Sequence, residues 1–186
     1  IQLAAANLSA SAFEVIWKCP KPTIALIHRG CFGGGVGYAA ASDIVIAEEK
    51  TSFAITEVRL GITPAPILLP LLGAVSTRHL KRYAMTGETF DVNIAVKIGL
   101  VHEIAPAGEV DTVIEPIIDN LLKGGPLAVS KTKEMINKIA FSFAEQIDLD
   151  ELARISAQGR SGEEGVEGFD AFLQKRNPNW YSRAKS

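Results

Sequence analysis

Two short stretches hold residues whose types could do chemistry. Gly33, Gly34 and Gly35 stand in a row within "GCFGGGVGYAAASD" (residues 30–43), and Glu57 stands among apolar neighbours in "FAITEVRLGITPAP" (residues 53–66). A glycine gives up more backbone entropy on folding than any other residue and costs about 1 kcal/mol against alanine inside a helix. Three of them where a helix begins expose consecutive backbone N–H groups at the positive end of the helix dipole, an arrangement suited to an anion or oxyanion. The plainer alternative is a tight turn under close packing. Glu57, set just ahead of a Gly/Pro turn, is placed as a carboxylate that could shuttle a proton. Its plainer alternatives are an exposed surface glutamate or one paired to Arg59.

Other chemistries find less support. Gly35-Val36-Gly37-Tyr38-Ala39-Ala40 matches a dinucleotide-binding GxGxxA after a strand. The next strand begins at Ile44, however, which leaves too short a helix to seat a dinucleotide. Cys19 and Cys31 are the only cysteines, no CxxC occurs, and His28, His79 and His102 are scattered, so metal-ligand spacing is absent. A net charge of −2 over 186 residues gives no basic field for nucleic acid or an anionic membrane. The longest apolar stretch, "PAPILLPLLGAV" at residues 64–75, carries three prolines. It falls short of the ~20 residues a membrane-crossing helix needs. No targeting pattern opens the chain, and the sparse cysteines fit a reducing compartment, the cytoplasm or an organelle matrix.

The elements that must position these groups alternate between strand and helix. "TIALIH" (residues 23–28) is β-branched and apolar, and follows Pro20 and Pro22, which exclude a helix. "VGYAAASD" reads as a short helix ending near Asp43, "IVIA" (44–47) as a buried strand and "SFAI" (52–55) as a third. Pro64 suits the first turn of a helix running to Leu72. "DVNIAVKIG" starts on a capping Asp91 and stops at Gly99, and "LVHEI" follows as a strand. From Glu109 onward the pattern is helical. Val110, Val113, Ile114, Ile117, Ile118, Leu121 and Leu122 form one stripe, interrupted by Pro116. Further helices are expected at 127–140, 148–157 and 163–175. The organisation is therefore an α/β part, residues 1–108, followed by a helical part, residues 109–186.

Taken together the chain resembles the crotonase family, the enoyl-CoA hydratase/isomerase superfamily. The resemblance is carried by residues 20–47 and 53–66, then "RYAMTGETFDVNIAVKIGLVHEI" (82–104), "GPLAVSKTKEMI" (125–136) and "EGVEGFDAFLQKRNPNW" (164–180). It implies a right-handed ββα spiral with a helical C-terminal trimerisation region, the N-terminal spiral turns missing or squeezed into residues 1–18. It also implies an acyl-CoA thioester as partner, a homotrimer or dimer of trimers, no metal, and no cofactor beyond the coenzyme A of the substrate.

In this resemblance the thioester oxygen meets the backbone N–H of Gly34, flanked by Gly33 and Gly35, and Glu57 is the acid/base. A second carboxylate common in the family falls on Gly37, where none is present. Phe32, Gly37, Thr63, Pro64, Ala65 and Pro66 shape the acyl pocket, and Lys175 and Arg176 approach the CoA phosphates. The "GGGVG" and "TEVRLGITPAP" segments look most like bacterial hydratases of the methylglutaconyl-CoA type, so a branched or glutaconyl-type 2-enoyl-CoA is the expected substrate. A Δ3,Δ2-enoyl-CoA isomerase using one glutamate is the alternative, and a non-catalytic binding or assembly protein is the alternative from another class.

Overall fold

Pro20 and Pro22 keep the chain extended on its way into β1 (Ile24–Ile27), the first strand of a repeating pattern. A tight corner, with Arg29 at φ 66°, turns β1 into β2 (Gly30–Phe32), and α2 (Gly34–Ala41) follows at once. The pattern then repeats as β3 (Ile44–Glu48), β4 (Ser52–Ala54), a 3₁₀ turn (Glu57–Leu60) and α3 (Ala65–Ala74). This is a computed structural model, and it describes residues 2–142 and 148–182.

Each ββα turn gives one strand to each of two sheets. β1 pairs in parallel with β3 (Ile24 opposite Ile44), and β2 pairs in parallel with β4 (Gly30 opposite Ser52). β6 (Glu103–Ala105) adds to β3 in parallel, while β5 (Phe90–Asp91) adds to β4 antiparallel. Asp43 ties the start of one turn to the end of its helix: its carboxylate accepts from Thr23 N (2.7 Å) and Thr23 Oγ1 (2.9 Å). β3 reads as an uninterrupted apolar run because a parallel strand is covered on both faces. Ile46 and Ala47 are fully buried.

The chain divides into two compact units, Ile1–Ile114 and Glu115–Ser186. In the first, Val36, Phe53, Leu71, Val92 and Leu100 are almost wholly buried. Full burial of a large apolar side chain contributes about 1.5–3 kcal/mol. Residues 2–17, which carry no clear pattern in the sequence, form α1 (Gln2–Trp17). Helix α4 (Thr77–Thr86) likewise lies between the expected elements, closing on a left-handed Gly87. α5 (Val92–Lys97) starts where expected: the Asp91 carboxylate accepts from Ile94 N at 2.9 Å. α6 (Val110–Lys123) buries Val110 and Ile114 and carries Pro116 within it.

The second unit holds α7 (Pro126–Ala140), α8 (Leu149–Ser161) and α9 (Glu163–Leu173). Glu164 accepts from Leu127 N (2.8 Å) and Ala128 N (3.0 Å), and so caps α7 from the first turn of α9. Trp180 Nε1 donates to the Lys123 carbonyl at 3.1 Å. No helix among the described residues is long and apolar enough to cross a membrane.

Candidate functional site

The glycine row sits at the end of β2 and makes the first turn of α2, but its members do different things. Gly33 caps α2 with φ 51°, a left-handed conformation that a residue with a Cβ rarely adopts. Its N–H donates to Ala54 O at 2.9 Å, which fixes the loop to the end of β4. A Cβ on Gly33 would lie 3.1 Å from Glu57 Oε1 and 3.5 Å from Thr56 Oγ1. The 3₁₀ turn therefore lays the Glu57 carboxyl directly over Gly33.

Gly34 and Gly35 occupy the first helical positions, whose N–H groups have no carbonyl one turn back to receive them. No side chain caps this end of α2. A Cβ on Gly34 would meet nothing within 4 Å among the described residues, so a side chain there has room. Under Gly35 lies Cys31 Sγ, 3.7 Å from the Cβ position. Burial pushes the Cys31 thiol up to about 11, which makes it a packing group and not a nucleophile.

Glu57 does not pair with Arg59. The Arg59 side chain instead lies across Gly87, where its Nε would be 2.9 Å from an added Cβ. Glu57 Oε2 is buried with no hydrogen-bond partner among the described residues. Leaving a buried carboxylate oxygen unsatisfied costs about 1–3 kcal/mol or more. Oε2 is thus an unpartnered polar atom held inside the fold, while Oε1 lies against Gly33, next to the uncapped first turn of α2.

The remaining sequence-expected positions are placed as follows. Phe32 is half exposed and folds its ring back over Gly30, where a Cβ would be 2.6 Å from Phe32 Cε2. Gly37 faces packing and not open space. A Cβ there would lie 2.3 Å from Ile67 Cγ2 and 3.0 Å from Phe13 Cε1, because α2 rests against α1 and α3. That contact also explains why no carboxylate stands at Gly37: a glutamate would have to displace Ile67. Neither Ile67 nor Phe13 carries a signal in the sequence that marks it for this role. Thr63 is exposed, Pro64 is buried, and Ala65 and Pro66 open α3 along the wall of a groove.

Lys175 and Arg176 belong to the second unit, past the end of α9. Lys175 takes a left-handed φ of 54°. Arg176 is clasped by Glu167 through two bonds, Nη1 to Oε1 at 2.7 Å and Nη2 to Oε2 at 2.9 Å. The guanidinium, with the Asn179 N–H, holds the Glu167 carboxyl down at about 2.

A family model described as enoyl-CoA hydratase/isomerase matches residues 5–183. The chain belongs to the enoyl-CoA hydratase/isomerase family. A family protein from Thermus thermophilus that carries an enoyl-CoA hydratase name is 30% identical over 169 residues, 90% of this chain and 66% of that protein. The carnitinyl-CoA dehydratase of Proteus mirabilis is 28% identical, over 88% of this chain and 64% of the dehydratase. The chain thus spans just under two thirds of the length of these curated relatives. Among solved structures, an enoyl-CoA hydratase from Shewanella pealeana superposes with a TM-score of 0.90 at 37% identity, over 96% of this chain and 67% of that one. An enoyl-CoA hydratase/isomerase from Marinobacter aquaeolei gives 0.88 at 28% identity, over 95% and 67%. The ββα spiral described above is the fold of this family.

Proposed function

We propose that the protein hydrates a 2-enoyl-CoA to the 3-hydroxyacyl-CoA, with the Gly34 N–H as a donor to the thioester oxygen and Glu57 as the acid/base. The observation that carries this reading is the Glu57 carboxyl, with its buried unpartnered Oε2, lying over Gly33 beside the uncapped start of α2. The chemistry balances with one carboxylate. Glu57 takes a proton from water as the water oxygen bonds to C3 and the electron pair of the double bond moves toward the thioester oxygen. The Gly34 N–H stabilises the resulting enolate. The same carboxyl then returns the proton to C2, so the net change is the addition of water.

Purified protein mixed with crotonyl-CoA should lose the conjugated-enoyl absorbance. Glu57→Gln should slow that loss by about 10²–10⁴-fold while leaving the fold intact. No turnover by the unsubstituted protein on any enoyl-CoA would support a binding or assembly role in its place.

A second reading is favoured by one observation, the packing of Ile67 against Gly37, which leaves no room for a carboxylate at that position of α2. A Δ3,Δ2-enoyl-CoA isomerase needs a single base to move a proton from C2 to C4. Product analysis separates the two, because hydration gives a 3-hydroxyacyl-CoA and isomerisation a shifted double bond. In either reading the protein acts in the cytoplasm as a homotrimer or a dimer of trimers, an assembly that light scattering would measure.

A further inference from the structure

The 3₁₀ turn that carries Glu57 has no buried residue of its own, and Leu60 at its end is 74% exposed. Its hydrogen bonds are local: Arg59 N to Thr56 O at 3.0 Å, Gly61 N to Val58 O at 3.1 Å and Ile62 N to Glu57 O at 3.2 Å. A single 3₁₀ turn has poor hydrogen-bond geometry and little cooperativity, so contacts outside it must fix it. On the entering side β4 does this, because Phe53 is fully buried and stacks on Phe90 of β5 at 5.7 Å. Within the turn itself the outward contact is made by Arg59. Its Cγ, Cδ and Nε lie 3.0, 3.3 and 2.9 Å from the position a Cβ would take on Gly87, so its stem rests on that glycine. Gly87 is buried and closes α4 at φ 61°, its N–H on Tyr83 O at 3.0 Å. The residues on either side of it are held too. Glu88 N donates to Thr86 Oγ1 at 3.2 Å, and Arg82 donates to both Glu88 oxygens, Nε to Oε1 at 2.7 Å and Nη2 to Oε2 at 3.1 Å. Arg59 therefore leans on a fixed platform.

We propose that Arg59 is a positioning residue: its stem, laid on Gly87, holds the 3₁₀ turn so that the Glu57 carboxyl stays over Gly33. Its effect on turnover rests on the reading of Glu57 as the acid/base, whereas the holding of the turn does not. The stem does the work and not the charge. A long basic side chain covers the surface beneath it with its methylenes while its head stays in water, and Arg59 is exposed overall. Glycine at position 87 then answers two demands, a left-handed backbone and the absence of a Cβ beneath Arg59. Asparagine tolerates the backbone but brings the Cβ, so it separates one demand from the other.

The test compares the purified protein with Arg59→Ala, Arg59→Met, Gly87→Asn and the Arg59→Ala/Gly87→Asn double variant. Amide exchange at Gly61 and Ile62, whose N–H groups close the turn, should quicken at least about tenfold in Arg59→Ala and in Gly87→Asn, and stay unchanged at Ile46 in β3. With crotonyl-CoA, kcat should fall about tenfold or more in the same two variants while KM moves by less than about twofold, the mark of a misplaced reacting group on a substrate that still binds. Arg59→Met keeps a long stem without the charge and should retain both the exchange and the kcat of the unsubstituted protein. The double variant should be no worse than either single one, because both substitutions remove the same contact. Unchanged exchange at Gly61 and Ile62 in Arg59→Ala overturns the proposal. So does a loss in Arg59→Met as large as in Arg59→Ala, which would place the effect in the charge, or exchange quickened equally in β3. Quickened exchange at the turn with kcat unchanged overturns the link to Glu57. No turnover by the unsubstituted protein, with exchange responding as expected, would sink the hydratase reading and spare the holding of the turn. Turnover with no exchange response would do the reverse.

Discussion

The two units are held together by different forces. The first is built around side chains that exclude water completely: Val36, Ile46, Ala47, Phe53 and Ala95 are all 0% exposed. In the second, Ala171 is the one buried hydrophobic residue among those described, while Phe169, Phe172 and Leu173 on α9 are exposed. What orders the second unit in view of this is polar: Glu164 on the start of α7, Glu167 on Arg176, and Trp180 on the Lys123 carbonyl. An interior of packed atoms resists small changes in volume. A polar clasp is indifferent to volume and sensitive to charge and pH. The candidate site belongs to the first kind of region and departs from it, since Glu57 Oε2 is a buried polar atom with no hydrogen-bond partner among the described residues.

The contrast can be broken or sharpened in order of effect. Gly37→Ala should give the largest loss of stability. Its methyl group would meet Ile67 Cγ2 at 2.3 Å. Overpacking of this kind costs about 1–3 kcal/mol. Thermal unfolding should then begin roughly 3–10 °C earlier, and Ile67→Ala in the same chain should recover part of the loss. Glu164→Ala removes bonds to two N–H groups of α7 and should cost about 1 kcal/mol. That loss should be visible as faster amide exchange at Leu127 and Ala128, and not in the β3 strand.

Acid should act on the second unit through Glu167. Its carboxyl is held at about 2, below its ordinary 4.5. A group whose folded value is depressed contributes stability above the unfolded value and loses it as the pH falls through the folded one. Acid titration from pH 4.5 to 2 should therefore weaken this clasp, and Glu167→Gln should flatten that part of the curve. Gly34→Ala should have the smallest effect on stability, because its Cβ would meet nothing within 4 Å. Helix propensity alone predicts a slight gain, below about 1 kcal/mol. If the Gly34 N–H meets the thioester oxygen, turnover of crotonyl-CoA should nevertheless fall. A large loss of both stability and turnover would mean that the space before Gly34 belongs to the protein's own packing.

Much of the architecture could be read from local pattern. The β-branched run at 23–28, the apolar run at 44–47 and the Asp91 cap each carry their reason within a few residues. Other elements could not be read this way. β2 is only Gly30, Cys31 and Phe32, too short for any period to show, and it exists because β4 offers it a ladder. α1 opens on an alanine-rich run with no clear apolar stripe, so its place is set by what Phe13 touches. Within the candidate site, the residue types at Gly33, Gly34 and Glu57 were visible, but the reason for each glycine was not. Gly33 answers to a backbone angle and Gly37 to Ile67, while a Cβ on Gly34 would touch none of the described side chains. In the sequence Arg176 reads as a cation for the CoA phosphates, and only the structure places Glu167, nine residues back, against it.

The bond from Gly33 N to Ala54 O turns the pairing of β2 with β4 into a ruler. The height of the Gly34 N–H above the Glu57 carboxyl is measured off from that ladder, and a one-residue slip moves it by about 3.3 Å. Insertions or deletions between Arg29 and Gly33, or between Lys50 and Thr56, are thus constrained far more tightly than their surface position suggests. The loop after Leu60 is bound to the same gauge, since Ile62 N donates to the Glu57 carbonyl at 3.2 Å, so a change of length there would shift the carboxylate as well.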